Sequence, residues 1–83
     1  MKNVAYSKSS IKALKRLPAN DAKRIRSKIN QYNDDPSSLF NNIKSLVGSN
    51  FMRLRVGDWR VIMNDAGDVL YIHKIGPHGD IYD

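Results

Sequence analysis

Three arginines, Arg53, Arg55 and Arg60, fall within the stretch FMRLRVGDWRVIM at 51–63. A guanidinium stays charged at any physiological pH. Its rigid fork of N–H donors matches a phosphate, and its plane stacks on aromatic rings. Charged residues are poor strand formers, and like charges directly opposite each other across a ladder cost stability. An anion between such arginines, or Asp side chains, removes that cost. The bland alternative is a set of solvated arginines whose stems cover sheet surface. The other groups able to do chemistry near this stretch are His73, His78 and Tyr82. A histidine exchanges protons near neutral pH, and a tyrosine stacks or donates a hydrogen bond.

The elements that hold these residues follow from the pattern around them. Gly57-Asp58, with glycine first, suits a two-residue hairpin turn. Val56 then faces Trp59, Arg55 faces Arg60, Leu54 faces Val61 and Arg53 faces Ile62. Opposed residues share a face of the sheet. One face therefore carries Met52, Leu54, Val56, Trp59, Val61 and Met63, wholly apolar and ready for a helical layer. The other carries Phe51, Arg53, Arg55, Arg60 and Ile62. The turn DAGD at 65–68 leads into a third strand, VLYIHKI at 69–75. A two-residue loop there puts His73 opposite Arg60 and Tyr71 opposite Ile62. A three-residue loop flips the strand and undoes this.

Upstream, NVAY at 3–6 reads as a short strand. Ile11, Leu14 and Leu17 fall at helical spacing over 9–17, with Ser7 or Ser9 as N-cap and Pro18 as the stop. A second amphipathic helix over 20–36 opens on an Asn/Asp cap signal. It aligns Ala22, Ile25, Ile29 and Tyr32 on one face and closes at Pro36. The two helices form a hairpin with a short connection at 17–20. Its polar side is almost entirely basic: Lys12, Lys15, Arg16, Lys23, Arg24, Arg26 and Lys28. Residues 37–50 read as a connector, and GPHGDIYD as a terminal loop or short edge segment. The expected fold is α+β: an N-terminal strand, a helical hairpin, then a three-stranded antiparallel meander, with the helices on one face of the sheet.

Composition narrows the chemistry. A chain of 83 residues supports one modest core, so residues 1–83 are read as one domain. All eight acidic residues are Asp, which excludes any mechanism that needs a catalytic Glu. There is no cysteine, hence no disulfide framework and no thiolate metal site, in keeping with a reducing cytoplasm. No apolar run approaches a membrane span, and MKNVAYSKSS lacks the apolar core of a secretory signal. The formal net charge of +6 points to an anionic partner. An arginine-lined sheet with aromatic neighbours suits RNA or single-stranded nucleic acid better than a duplex groove. Two histidines are too few for a metal site, and no metal or other cofactor is implied.

VAYSKSSIKALKRLP, the second helix ending in Pro36, RLRVGDWRVIM, VLYIHKIG and HGDIY, in that order and spacing, cover nearly the whole chain. Together they make the chain resemble the RelE/ParE superfamily of bacterial type II toxin–antitoxin toxins, in its RelE-like branch. The resemblance implies two N-terminal helices against a small antiparallel sheet and a metal-independent endoribonuclease. Such an enzyme cuts mRNA in the ribosomal A site, inhibits translation, and is neutralised by an acidic antitoxin that wraps it. Arg53 and Arg55 match the family's second-strand cations, Arg60 its third-strand Arg, and Tyr82 its C-terminal Tyr. His78 stands where a terminal-loop Arg is usual, a departure that replaces a fixed cation with a titratable group.

On this resemblance Arg60, His78, Tyr82 and Arg53 are the catalytic candidates. Arg55, His73, Lys74 and Lys44 are the RNA-binding ones. The substrate's 2′-OH is the nucleophile, Arg60 stabilises charge on the phosphoryl oxygens with help from Arg53 and Arg55, and His78 acts as acid or base. Tyr82 stacks on a base or exchanges a proton. Two other readings stay open: a ParE-like DNA gyrase inhibitor without catalysis, and an attenuated toxin that still binds its antitoxin.

Overall fold

Local signals start and stop the helices. A computed structural model describes residues 2–79. After β1 (Asn3–Tyr6), α1 (Lys8–Arg16) begins at Ser7, whose Oγ accepts the Ser10 N–H at 3.1 Å. This satisfies one of the donors that a helix start leaves without a partner. Lys15 and Arg16 sit in the last turn, where cations complement the exposed carbonyls. The next helix, α2 (Ala19–Asp34), starts earlier than its Asn/Asp signal implies. Pro18 is its cap residue, and the Pro18 carbonyl accepts the N–H groups of Asp21 and Ala22, each at 3.0 Å. Asn20 therefore lies inside the helix, and no side chain caps it. Proline suits this entry because its fixed φ is already close to helical and it lacks an N–H to leave unsatisfied.

The connector carries more structure than its composition suggests. Pro36–Asn42 forms a 3-10 segment that buries Leu39, and β2 (Ile43–Ser45) follows as a short strand. Three residues are too few for alternation to show, which is why this strand is silent in the sequence. Then come β3 (Phe51–Val56), β4 (Trp59–Ala66) and β5 (Val69–Pro77). The sheet order is β1-β5-β4-β3-β2. β1 lies parallel to β5 and every other neighbouring pair is antiparallel. The antiparallel meander therefore has four strands rather than three. β5 is interior, and it runs through Gly76 and Pro77, so the start of GPHGDIYD is strand rather than loop.

One face of this sheet is the core. Leu54, Val61, Met63 and Ile72 are fully buried, and they pack with Leu14 of α1 and with Ala22, Ile25 and Ile29 of α2. Met52 and Trp59 join the same cluster half-buried. The apolar face expected from the hairpin is thus the face that the helices cover. Among the described residues no helix is long and apolar enough to cross a membrane.

Tyr6 and Tyr32 pack against this cluster. Burial pushes both phenols above their ordinary value, and Arg26 partly offsets the effect at Tyr6. A raised folded-state pKa means the unfolded chain ionises first. The stabilisation is therefore complete below about pH 10 and is lost as pH rises through the folded values. We expect urea-unfolding stability to fall above about pH 10, and Tyr6→Phe with Tyr32→Phe to flatten that fall. A wild-type slope retained in the double variant would assign the alkaline loss to other groups. Ile29→Ala should cost about 2–5 kcal/mol in the same assay, through lost burial and the cavity left behind.

Candidate functional site: an open cationic sheet face

Because side chains alternate, burying Leu54, Val61 and Met63 turns their neighbours to the opposite face. Across the strands, one rung there reads Arg55, Arg60, Gly76. The next reads Lys44, Arg53, Ile62, Lys74. A third reads Phe51, Asn64, Tyr71. Arg53, Arg55 and Arg60 are thereby brought together as the sequence placed them, and the structure adds Lys44 of β2 and Lys74 of β5 to the same face. Ile62 is 5% exposed although it lies outside the core cluster. Arg53 and Lys74 stand directly opposite it, and stems of this length cover an apolar side chain.

Arg60 is held in place by the turn beside it. Its Nη1 donates to the Gly57 carbonyl at 2.9 Å and to the Trp59 carbonyl at 3.0 Å. The remaining N–H groups of this guanidinium have no partner among the described residues. Arg55, directly opposite, makes no side-chain hydrogen bond or ion pair among those residues either. Gly57 adopts φ +59°, and a Cβ there would meet the Arg24 guanidinium at 3.1 Å. Only glycine fits this turn without strain and without displacing Arg24 of α2. On the other side of the turn, the His78 N–H donates to the Asp58 carbonyl at 2.9 Å. The backbone of His78 is thus tied to the same turn that holds Arg60.

His73 departs from its expected position. The β4–β5 turn is Gly67-Asp68, with Ala66 opposite Val69, so Tyr71 faces Asn64 and not Ile62. Between Ile62 and Met63 the register then shifts, and His73 is an extra residue with no partner of its own. Gly76, not His73, stands opposite Arg60. The bulge leaves His73 and Lys74 exposed side by side between buried Ile72 and Ile75. The spacing of these isoleucines, three apart where alternation requires an even number, is the sequence signal that marks the bulge. His73 lands against Phe51, ring centroids 4.9 Å apart, and near Tyr71 at 6.0 Å.

The start of α1 secures this bulge. Ser7 Oγ donates to the His73 carbonyl at 2.7 Å and the Ser7 N–H to the Ile72 carbonyl at 2.9 Å. Ser10, fully buried, brings its Oγ within 3.1 Å of the same Ile72 oxygen. The Ser7 N–H to Ile72 bond extends the parallel β1–β5 series that begins with the Asn3 N–H and the Asp68 carbonyl, and the Ser7 hydroxyl adds a donor for the His73 carbonyl beside it. Neither role was legible beyond the capping signal at Ser7. Tyr82 lies outside the described residues.

No protein-family model matches the chain. Toxin RelE3 of Methanocaldococcus jannaschii is 31% identical over 83 residues, spanning 96% of this chain and 94% of that protein. Among solved structures, the archaeal RelE–RelB complex from Pyrococcus horikoshii matches with a TM-score of 0.77 at 28% identity, covering 96% of this chain and 98% of that one. The RelB–RelE antitoxin–toxin complex from Methanococcus jannaschii matches at 0.74 and 28%, covering 95% of each. The α+β architecture is that of these neighbours. The chain belongs to the RelE toxin family of type II toxin–antitoxin systems.

The opposition of Arg55 and Arg60 predicts a cost in stability. Arg55→Gln should raise stability by about 0.2–1 kcal/mol at low ionic strength. The gain should shrink toward zero in about 1 M salt, where screening acts over about 3 Å. A destabilised variant would show instead that the Arg55 stem contributes more by packing than its charge costs.

Proposed function

We propose that the chain is a ribosome-dependent mRNA endoribonuclease whose active surface is this open sheet face. Arg60, placed opposite Arg55 with its guanidinium oriented by two turn carbonyls, is the observation that carries the reading. A cation fixed before substrate arrives needs no reorganisation as charge develops, which is where electrostatic catalysis gains most.

In the reaction, the 2′-oxygen of one nucleotide attacks the adjacent phosphorus and the bond to the 5′-oxygen of the next breaks. The products are a cyclic phosphate and a free 5′-OH. Arg60 stabilises the phosphoryl oxygens, Arg53 and Arg55 add to the field, and Lys44 and Lys74 hold the flanking backbone by charge. His78, anchored beside the same turn, exchanges a proton with the 2′-oxygen or the leaving oxygen, standing where the family usually carries an Arg. Tyr82 stacks on a base or joins the proton transfer. The reaction is metal-independent. Its setting is the cytoplasm, and residues 1–83 act as one toxin domain.

The partner that restrains it is an acidic antitoxin. The relatives from Pyrococcus horikoshii and Methanococcus jannaschii were solved as complexes with RelB. The net charge of +6 and the exposed basic residues of α1 and α2 suit such a partner.

Inducible expression in a bacterium, with primer extension on a translated message, tests the reading. Wild type should arrest growth and leave translation-dependent cuts. Arg60→Ala should lower cutting about 100-fold or more, the loss typical of one electrostatic donor, while antitoxin binding is retained. Arrest without cuts would identify a non-catalytic target such as gyrase, and neither arrest nor cuts an attenuated toxin.

A further inference from the structure

Beyond the arginine rungs, the same face carries a second feature that the cleavage chemistry does not use. Phe51 on β3 and Tyr71 on β5 flank Asn64 on β4 in one rung. The bulge delivers His73 between them, with centroids 4.9 Å from Phe51 and 6.0 Å from Tyr71 and planes tilted by 35° and 40°. Phe51 and Tyr71 are half-buried and His73 is exposed. The Asn64 side chain makes no hydrogen bond among the described residues. Arg53 and Lys74 lie one rung away.

We propose that Phe51, His73 and Tyr71 form a stacking step for a nucleobase of the single-stranded message next to the nucleotides being cut, with Asn64 reading the edge of that base. The inference rests on the ribonuclease reading and adds a specificity-determining subsite to it. Unpaired bases are recognised by stacking on aromatic side chains while their edges meet hydrogen-bonding groups, and phosphates flanking them are held by cations. All three components meet on this face. An amide offers two donors and an acceptor, enough to distinguish one base edge from another. Asn64 is four residues along β4 from Arg60, about 13 Å at the rise of a strand. The step therefore serves a base outside the scissile pair. Arg60 governs the bond broken, and the aromatic step governs which sequence is presented to it.

In vitro translation of messages randomised on both sides of the cut tests this, comparing wild type with Phe51→Leu, Tyr71→Leu and Asn64→Ala. Thermal unfolding and antitoxin binding serve as folding controls. Wild type should favour particular bases, purines above pyrimidines, at one position flanking the cut. Each Leu variant should cut the favoured messages about 5- to 100-fold more slowly and flatten the preference, with folding controls unchanged. Asn64→Ala should leave the purine preference and lose the distinction between A and G. Wild-type cutting with an unchanged preference in all three variants would overturn the stacking step and leave the ribonuclease reading intact. Absence of wild-type cutting would overturn both.

Discussion

Burial of one face of the sheet under α1 and α2 is the constraint on which the rest of this protein depends. Leu54, Val61, Met63 and Ile72 are fully buried against Leu14, Ile25 and Ile29. A strand cannot shift by one residue without exchanging its two faces. The same apolar contacts that stabilise so small a domain therefore determine where every cation points. Arg53, Arg55 and Arg60 reach the open face because their neighbours are held on the covered one.

On the proposed function, that arrangement sets stability against activity. Two arginines opposed across β3 and β4 repel each other in the free protein, and the carbonyls of Gly57 and Trp59 take up part of the donor capacity of one of them. A phosphate between the guanidinium groups turns the repulsion into a shared attraction. On the proposed function, the charge pattern that weakens the isolated fold is the one offered to the phosphate of the message. The turn that orients Arg60 is itself braced: Gly57 adopts a left-handed backbone against Arg24 of α2, and the Asp58 carbonyl holds the His78 backbone. The helical layer thereby reaches the edge of the open face.

The bulge in β5 couples the two layers at a second place. At the bulge the Ile72 and His73 carbonyls accept hydrogen bonds from Ser7 and Ser10 at the start of α1. Ser7 thus has two tasks, capping α1 and fastening the strand that carries His73. The N-terminus of a helix on the covered face controls the position of an aromatic ring on the other.

Read from residues alone, the order of the first strand, the two helices and the last three strands, the β3–β4 register and the separation of apolar from cationic faces were legible. Each rests on local physics: a glycine-first turn of fixed length, period-two alternation, and helical spacing closed by Pro18 and Pro36. The grouping of Arg53, Arg55 and Arg60 followed from that register without any tertiary information. The neighbours of His73 did not, because a bulge depends on how two strands settle against a third element, here the serines of α1. The strand at Ile43–Ser45 was hidden because three residues carry no period, and its pairing with β3 places Lys44 beside Arg53. The early start of α2 was decided by Pro18, whose fixed backbone outweighed the side-chain capping signal two residues later. Local patterns therefore determined which residues face which way. Long-range pairing decided which of them meet, since contacts between distant strands leave no periodic trace in the chain.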